Sequence, residues 1–241
     1  MLEDVPFYLT IAFAATTVIA VGMLLLLIKT SSQSSNSVST WGIIVAIFSF
    51  LIIQAVLSFF GIYKDDPESM PPKIILLAVI PALLAIVFIF NTRKGKLFID
   101  SLSMQMLTYI HVIRIPVELV LYGLFISGAI PELMTFQGRN LDILAGITAP
   151  LVGFFGIWQG KMNKASLLAW NFICLGLLLN IVVNAVLSAP SPFQQFGFDQ
   201  PNVAILNFPF SWLPAFIVPL VLFAHLAAIR KLINSSLVTR H

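Results

Sequence analysis

A single cysteine, Cys174, among 241 residues excludes an intrachain disulfide and any cysteine-rich metal site. Its setting, "FICLGLLL", is that of a small buried hydrophobe. Charge is scarce as well: 10% of residues are charged, 59% are hydrophobic and the mean hydropathy is +1.00. A soluble domain of this length would carry far more Lys, Glu, Asp and Arg. The chain also lacks HExxH, GxSG, a P-loop, GxGxxG and paired aspartates in facing helices, so it offers no zincin or intramembrane-protease signature and no soluble nucleotide site. A net charge of +3 and a pI near 9.1 do not point to nucleic acid, because the basic residues are dispersed among short loops.

What is present is a succession of apolar runs long enough to cross a hydrocarbon core of roughly 30 Å. The fold expected is all-α, a single integral membrane domain over 1–241 forming a seven-transmembrane-helix bundle. The helices are expected near 6–28, 41–63, 74–91, 102–128, 141–158, 166–188 and 207–232. Between them, "TSSQSSNSVST" reads as a polar turn, "KDDPESMPPK" as a charged proline-rich loop, and "NTRKGK" and "QGKMNK" as short basic loops.

Orientation follows from Lys and Arg. With the N-terminus outside, nine fall on the cytoplasmic side: Lys29, Arg93, Lys94, Lys96, Lys161, Lys164, Arg230, Lys231 and Arg240. Three fall outside, namely Lys64, Lys73 and Arg139, and Arg114 is left within the bilayer. That asymmetry predicts a multi-pass protein of the plasma (cytoplasmic) membrane, N-terminus outside and C-terminus cytoplasmic. The opening "MLEDVPFY" has no basic stretch, which favours an uncleaved first helix.

Polar residues concentrate in the last four spans. At 100° per residue, Glu118 and Tyr122 each lie within about 20° of His111 on the fourth helix, with Arg114 about 60° to one side. Arg114 and Glu118 are spaced to pair along the helix, and Pro116 frees the carbonyl of Val112. Gly176, Asn180 and Asn184 recur every fourth residue on the sixth helix. Asn207, Ser211, Val218 and His225 would share a face of the seventh if Pro209, Pro214 and Pro219 left it straight. Asp142 reads as a cap or first-turn acid of the fifth helix rather than a catalyst.

Intramembrane ionisable groups mark function by default. Arg114, Glu118, Tyr122, Asn180, Asn184 and Ser211 are the expected ligand-binding residues for a small molecule or lipid, with Arg114 holding an anionic group or balancing Glu118. An intramembrane enzyme with Glu118 or a histidine as acid and base is the competing class. A third is a haem or metal protein: His111 and His225 lie about 13 Å and about 10 Å from the cytoplasmic ends of their helices, at similar depth. The residues match neither of two seven-span families. Retinal proteins carry a lysine midway along the last helix, where this chain has Lys231 at its end. Hydrolases of the ceramidase and adiponectin-receptor type bind zinc through three histidines, two on the last helix, where this chain has His225 alone.

Single cysteines introduced on a Cys174→Ser background test the orientation. Phe198→Cys should react with an impermeant thiol reagent in intact cells and Lys96→Cys should not; the reverse pattern would overturn it.

Overall fold

The computed structural model describes residues 4–31 and 40–238, and these are all-helical with no strand among them. The helices are α1 (Phe7–Ser31), α2 (Thr40–Phe59), α3 (Ile75–Asn91), α4 (Arg93–Ser101), α5 (Met104–Ile126), α6 (Ile143–Trp158), α7 (Lys164–Ser188) and α8 (Leu213–Asn234). The segment 32–39, expected as a polar turn, and Arg240 lie outside the described residues.

Five helices, α1, α2, α5, α7 and α8, are long and apolar enough to cross a membrane, and a sixth is reached if α3 and α4 count as one bent span. The seventh expected span, 141–158, is represented by α6, which at ~1.5 Å per residue reaches only about 24 Å. Gly146 and Pro150 lie within it, and its last turns widen to π-helix over Val152–Trp158. The basic loop expected after 91 is instead a helix. Thr92 is extended, its hydroxyl accepts from the Gly95 N–H at 3.1 Å, and α4 departs at 89° from α3.

Helix ends follow from local chemistry. Gly61 and Gly128 adopt left-handed φ values of 74° and 76°, and the Ile62 and Ala129 N–H groups bond back to Leu57 and Leu124. These are Schellman closures, which is why α2 and α5 stop where they do. Asn163 caps α7 by accepting from the Ser166 N–H at 2.8 Å.

Side-chain contacts sort these ends into two groups. Arg230 pairs with Asp100 at 3.0 Å and Lys164 donates to the Ile233 carbonyl at 3.4 Å, gathering α4, the start of α7 and the end of α8. At the opposite end Gln200 donates to Phe125, Asn180 to Arg139 and Ser58 to Leu206. Near that end a methyl at Gly123 would lie 2.5 Å from Leu9, so α1 starts there.

α8 is the most enclosed of the five long helices, with 67% of its apolar window buried, and α2 the least at 17%. α8 and α5 therefore form the centre, while α2 turns Trp41, Val45 and Ile52 outward. α2 is nonetheless fastened. Pro81 has no N–H for the carbonyl of Leu77, and in hydrocarbon a free carbonyl must find a donor. Gln54 of α2 supplies it, its Nε2 donating to Leu77 at 3.0 Å while its Oε1 accepts from the Tyr63 hydroxyl.

Gln54→Leu should lower stability by about 1 kcal/mol, the scale of an interhelical hydrogen bond in a membrane. In a Pro81→Ala background, where Leu77 regains an intrahelical donor, the same change should cost less. Thermal unfolding of the wild type and the three variants measures the difference; equal losses would sink this account of Gln54.

Candidate functional site

α5 is not regular. Residues Ile110–Ile113 tighten to a 3-10 turn just before Arg114 and Pro116. Residues three apart eclipse in such a turn, so His111 is carried round to the side of Arg114. α6 meets α5 closely at Gly146, where a Cβ would fall 2.9 Å from Ile115 and 3.3 Å from the Arg114 Cβ. One helical turn earlier on α6, Asp142 is thereby brought to the guanidinium.

The result is a buried ion pair: Arg114 Nη1 lies 2.7 Å from Asp142 Oδ1, with side-chain exposures of 3% and 7%. The same nitrogen donates to the Cys174 carbonyl of α7 at 3.3 Å. Nη2 is 2.9 Å from His225 Nε2. A guanidinium can only donate, so Nε2 accepts and the His225 proton sits on Nδ1. Nδ1 is 3.0 Å from Asn171 Oδ1, and Asn171 donates from its other amide atom to Leu167. The network thus assigns one tautomer and one amide orientation.

This corrects the expected Arg114–Glu118 pair. Glu118 accepts from Asn140 Nδ2 at 2.5 Å, and its Oε2 has no partner. Asn140 can do this because the chain over 132–140 folds back across the end of α5. It also donates to Met134 and accepts from the Asp142 N–H at 3.0 Å. Asp142 precedes the first residue of its helix, yet its side chain makes no capping bond because Arg114 takes it. Asn140, Asn171 and Asp142 as partners of the central charge follow from helix packing; the sequence signal for Asp142 was Gly146, one turn on.

The two histidines do share a depth, and they face each other. Their rings stack with centroids 3.8 Å apart and 19° between planes, with Trp170 edge-on to His111. Axial haem ligation needs two nitrogens aimed at a metal between them, each roughly 2 Å away. Here both His225 nitrogens are engaged and the rings lie face to face. Among the described residues no group of three His, Cys, Asp or Glu side chains could hold a metal. Both nitrogens of His111, fully buried, lack hydrogen-bond partners.

Other expected site residues lie elsewhere. Tyr122 stacks near Phe136 at 5.1 Å and receives Gln137 at 3.4 Å. Asn180 is exposed and bonds the Arg139 carbonyl, while Asn184 donates to Asn180. Ser211 is buried where α8 approaches its π-helical start, its hydroxyl without a partner. Cys174 is buried and free as expected.

A cavity of about 350 Å³ lies between α3, α5, α7 and α8. Its wall is mainly Leu, Ile and Val, with Glu118 and Asp142 among the lining residues and Asp66 and Lys73 contributed by the loop before α3. Glu118 is about 12 Å along α5 from that helix's end at Ile126. Leu83 of α3 and Leu179 of α7 are among its lining residues and are also 38% and 50% exposed.

Arg114→Met and Asp142→Asn should each cost about 3–5 kcal/mol by stranding a buried charge, and the double variant should recover part of the loss. Arg114→Met with Glu118→Gln should show no such recovery. A thermal-unfolding cycle in detergent decides between the pairs; recovery with Glu118→Gln alone would restore the pairing along α5.

No curated protein and no solved structure matches the chain. Residues 71–233, which take in α3 through α8 and the whole charge network, match a family described as a domain of unknown function (DUF8737), and the chain belongs to that family.

Proposed function

We propose that this protein crosses the plasma membrane seven times, N-terminus outside, and binds or carries an apolar or amphiphilic small molecule or lipid in the cavity between α3, α5, α7 and α8. The observation that carries the binding reading is the cavity itself. Its volume of about 350 Å³ falls within the range of small-molecule sites, its wall is apolar, and Glu118, a buried acid with one unbonded oxygen, is among the residues that line it. Leu83 and Leu179, which line the cavity and are also exposed on the outer surface, suit entry from the bilayer rather than from water. Arg114 in this reading orders Asp142 and His225 and does not touch the ligand, while Glu118 faces it.

The topology rests on the charges. Arg93, Lys94, Lys96, Lys164, Arg230 and Lys231 belong to segments that meet at one end of the bundle, the cytoplasmic end by the positive-inside rule. α6, though short, connects the two ends as a seventh crossing, its depth made up by the loops on either side.

Filling the cavity tests the function. Ala185→Phe puts a ring into the α7 wall without touching the charge network. Mass spectrometry of protein purified in native-like lipid discs should show a bound lipid or small molecule that the variant loses, with thermal stability kept. Identical adducts on both proteins would place the bound molecule elsewhere and end the proposal.

A further inference from the structure

The polar chemistry of the cavity selects among ligands, and this step rests on the binding reading above. Four charged residues line it: Asp66, Lys73, Glu118 and Asp142. Lys73 is held by Asp65 at 3.1 Å and Asp142 by Arg114 at 2.7 Å. Arg114 itself is not among the lining residues, and both its Nη atoms are engaged by Asp142, Cys174 and His225. Glu118 is different. It is 2% exposed, one oxygen is bonded to Asn140, and the other has no partner. Nothing in the wall donates to it.

We infer that the cavity takes a cationic amphiphile, an alkyl ammonium compound whose head donates to Glu118 Oε2 and whose chain lies along Val117, Leu121, Ile181 and Val182. An ammonium group supplies the missing donor and, by its own charge, favours the ionised form of a carboxyl group whose neighbouring cation is committed to Asp142. Such charge-assisted bonds are shorter and stronger than neutral ones. A carboxylate or phosphate head would meet Glu118 and Asp142 with like charge and no free cation. A neutral alcohol satisfies the donor requirement and leaves the charge unbalanced.

The test compares three probes of one chain length, n-decylamine, n-decanol and n-decanoate, with the full-length protein in phosphatidylcholine discs at pH 7. Binding is measured by native mass spectrometry and equilibrium dialysis, with empty discs subtracted. The wild-type protein should bind the amine at least tenfold more tightly than the alcohol, and the acid weakest. Glu118→Gln, which keeps the acceptor for Asn140, should bring the amine to within about threefold of the alcohol. Equal binding of amine and alcohol by the wild type, or tighter binding of the acid, overturns the head-group inference even if the variant fails to fold. An undiminished amine preference in folded Glu118→Gln overturns it as well. In those cases Ala185→Phe should still abolish binding of the decyl chain, and the cavity reading survives. If no probe binds the wild type, or Ala185→Phe binds all three unchanged, the cavity reading itself falls.

Discussion

One buried cation organises the centre of this protein. Arg114 sits 2% exposed inside a bundle whose outer face is hydrocarbon-like, and removing a guanidinium from water is tolerable only if its charge is paired and bonded; both Nη atoms are bonded here, while Nε, also buried, has no partner. Asp142 supplies the opposite charge, Cys174 a carbonyl and His225 a ring nitrogen. Each of these imposes a further condition. Asp142 is in reach only because α6 has glycine at position 146 and can approach α5. His225 accepts only with its proton on Nδ1, which in turn needs the Asn171 oxygen. His111 packs on His225 only because the 3-10 turn rotates it there. A single charge thus fixes the relation of four helices.

The second constraint is the bilayer's intolerance of free carbonyl groups. Prolines recur in this chain where helices cross, and helix geometry widens beside them: Ile75–Val79 before Pro81, Val152–Trp158 after Pro150, and Leu213–Ile217 around Pro214 and before Pro219. Gln54 shows how one exposed carbonyl is answered. Two of the widened turns, at the starts of α3 and α8, also line the cavity. A π turn displaces the side chains that follow it, so helices punctuated this way pack less closely than straight ones. The cavity lies where the prolines loosen the bundle, and the wall there is apolar because those turns, "ILLAV" and "LPAFI", carry no polar side chain.

Much of the helix layout was legible because it depends on local hydropathy and breakers, which are read one segment at a time. What failed locally was where geometry, not composition, decided. The run over 93–96 looks like a basic loop, yet Thr92 and the small Gly95 let it close into α4. The run over 141–158 is apolar enough to span, but its helix, Ile143–Trp158, is shorter than the five long ones. Within the site, the polar face of α5 was visible from spacing, whereas the partners of its charges were not. Arg114 and Glu118 stand one turn apart and neither uses the other, since each finds a closer partner on the chain leading into α6. The amide stripe of α7 was equally visible, but it faces the loop at Arg139 rather than the cavity.

The charge network and the cavity are not separate structures. Glu118 receives Asn140, Asn140 accepts from the Asp142 backbone, Asp142 pairs with Arg114, and Arg114 donates to His225. Every link joins groups that are nearly or fully buried, so water cannot replace a partner that moves. A group arriving at the free oxygen of Glu118 acts on the first link of that chain. If Asn140 shifts, the segment over 134–142 that it braces shifts with it, and Asp142 cannot leave Arg114 without stranding two charges in hydrocarbon. The chain therefore resists partial rearrangement: its links from Glu118 to the histidine stack hold or give way as a unit.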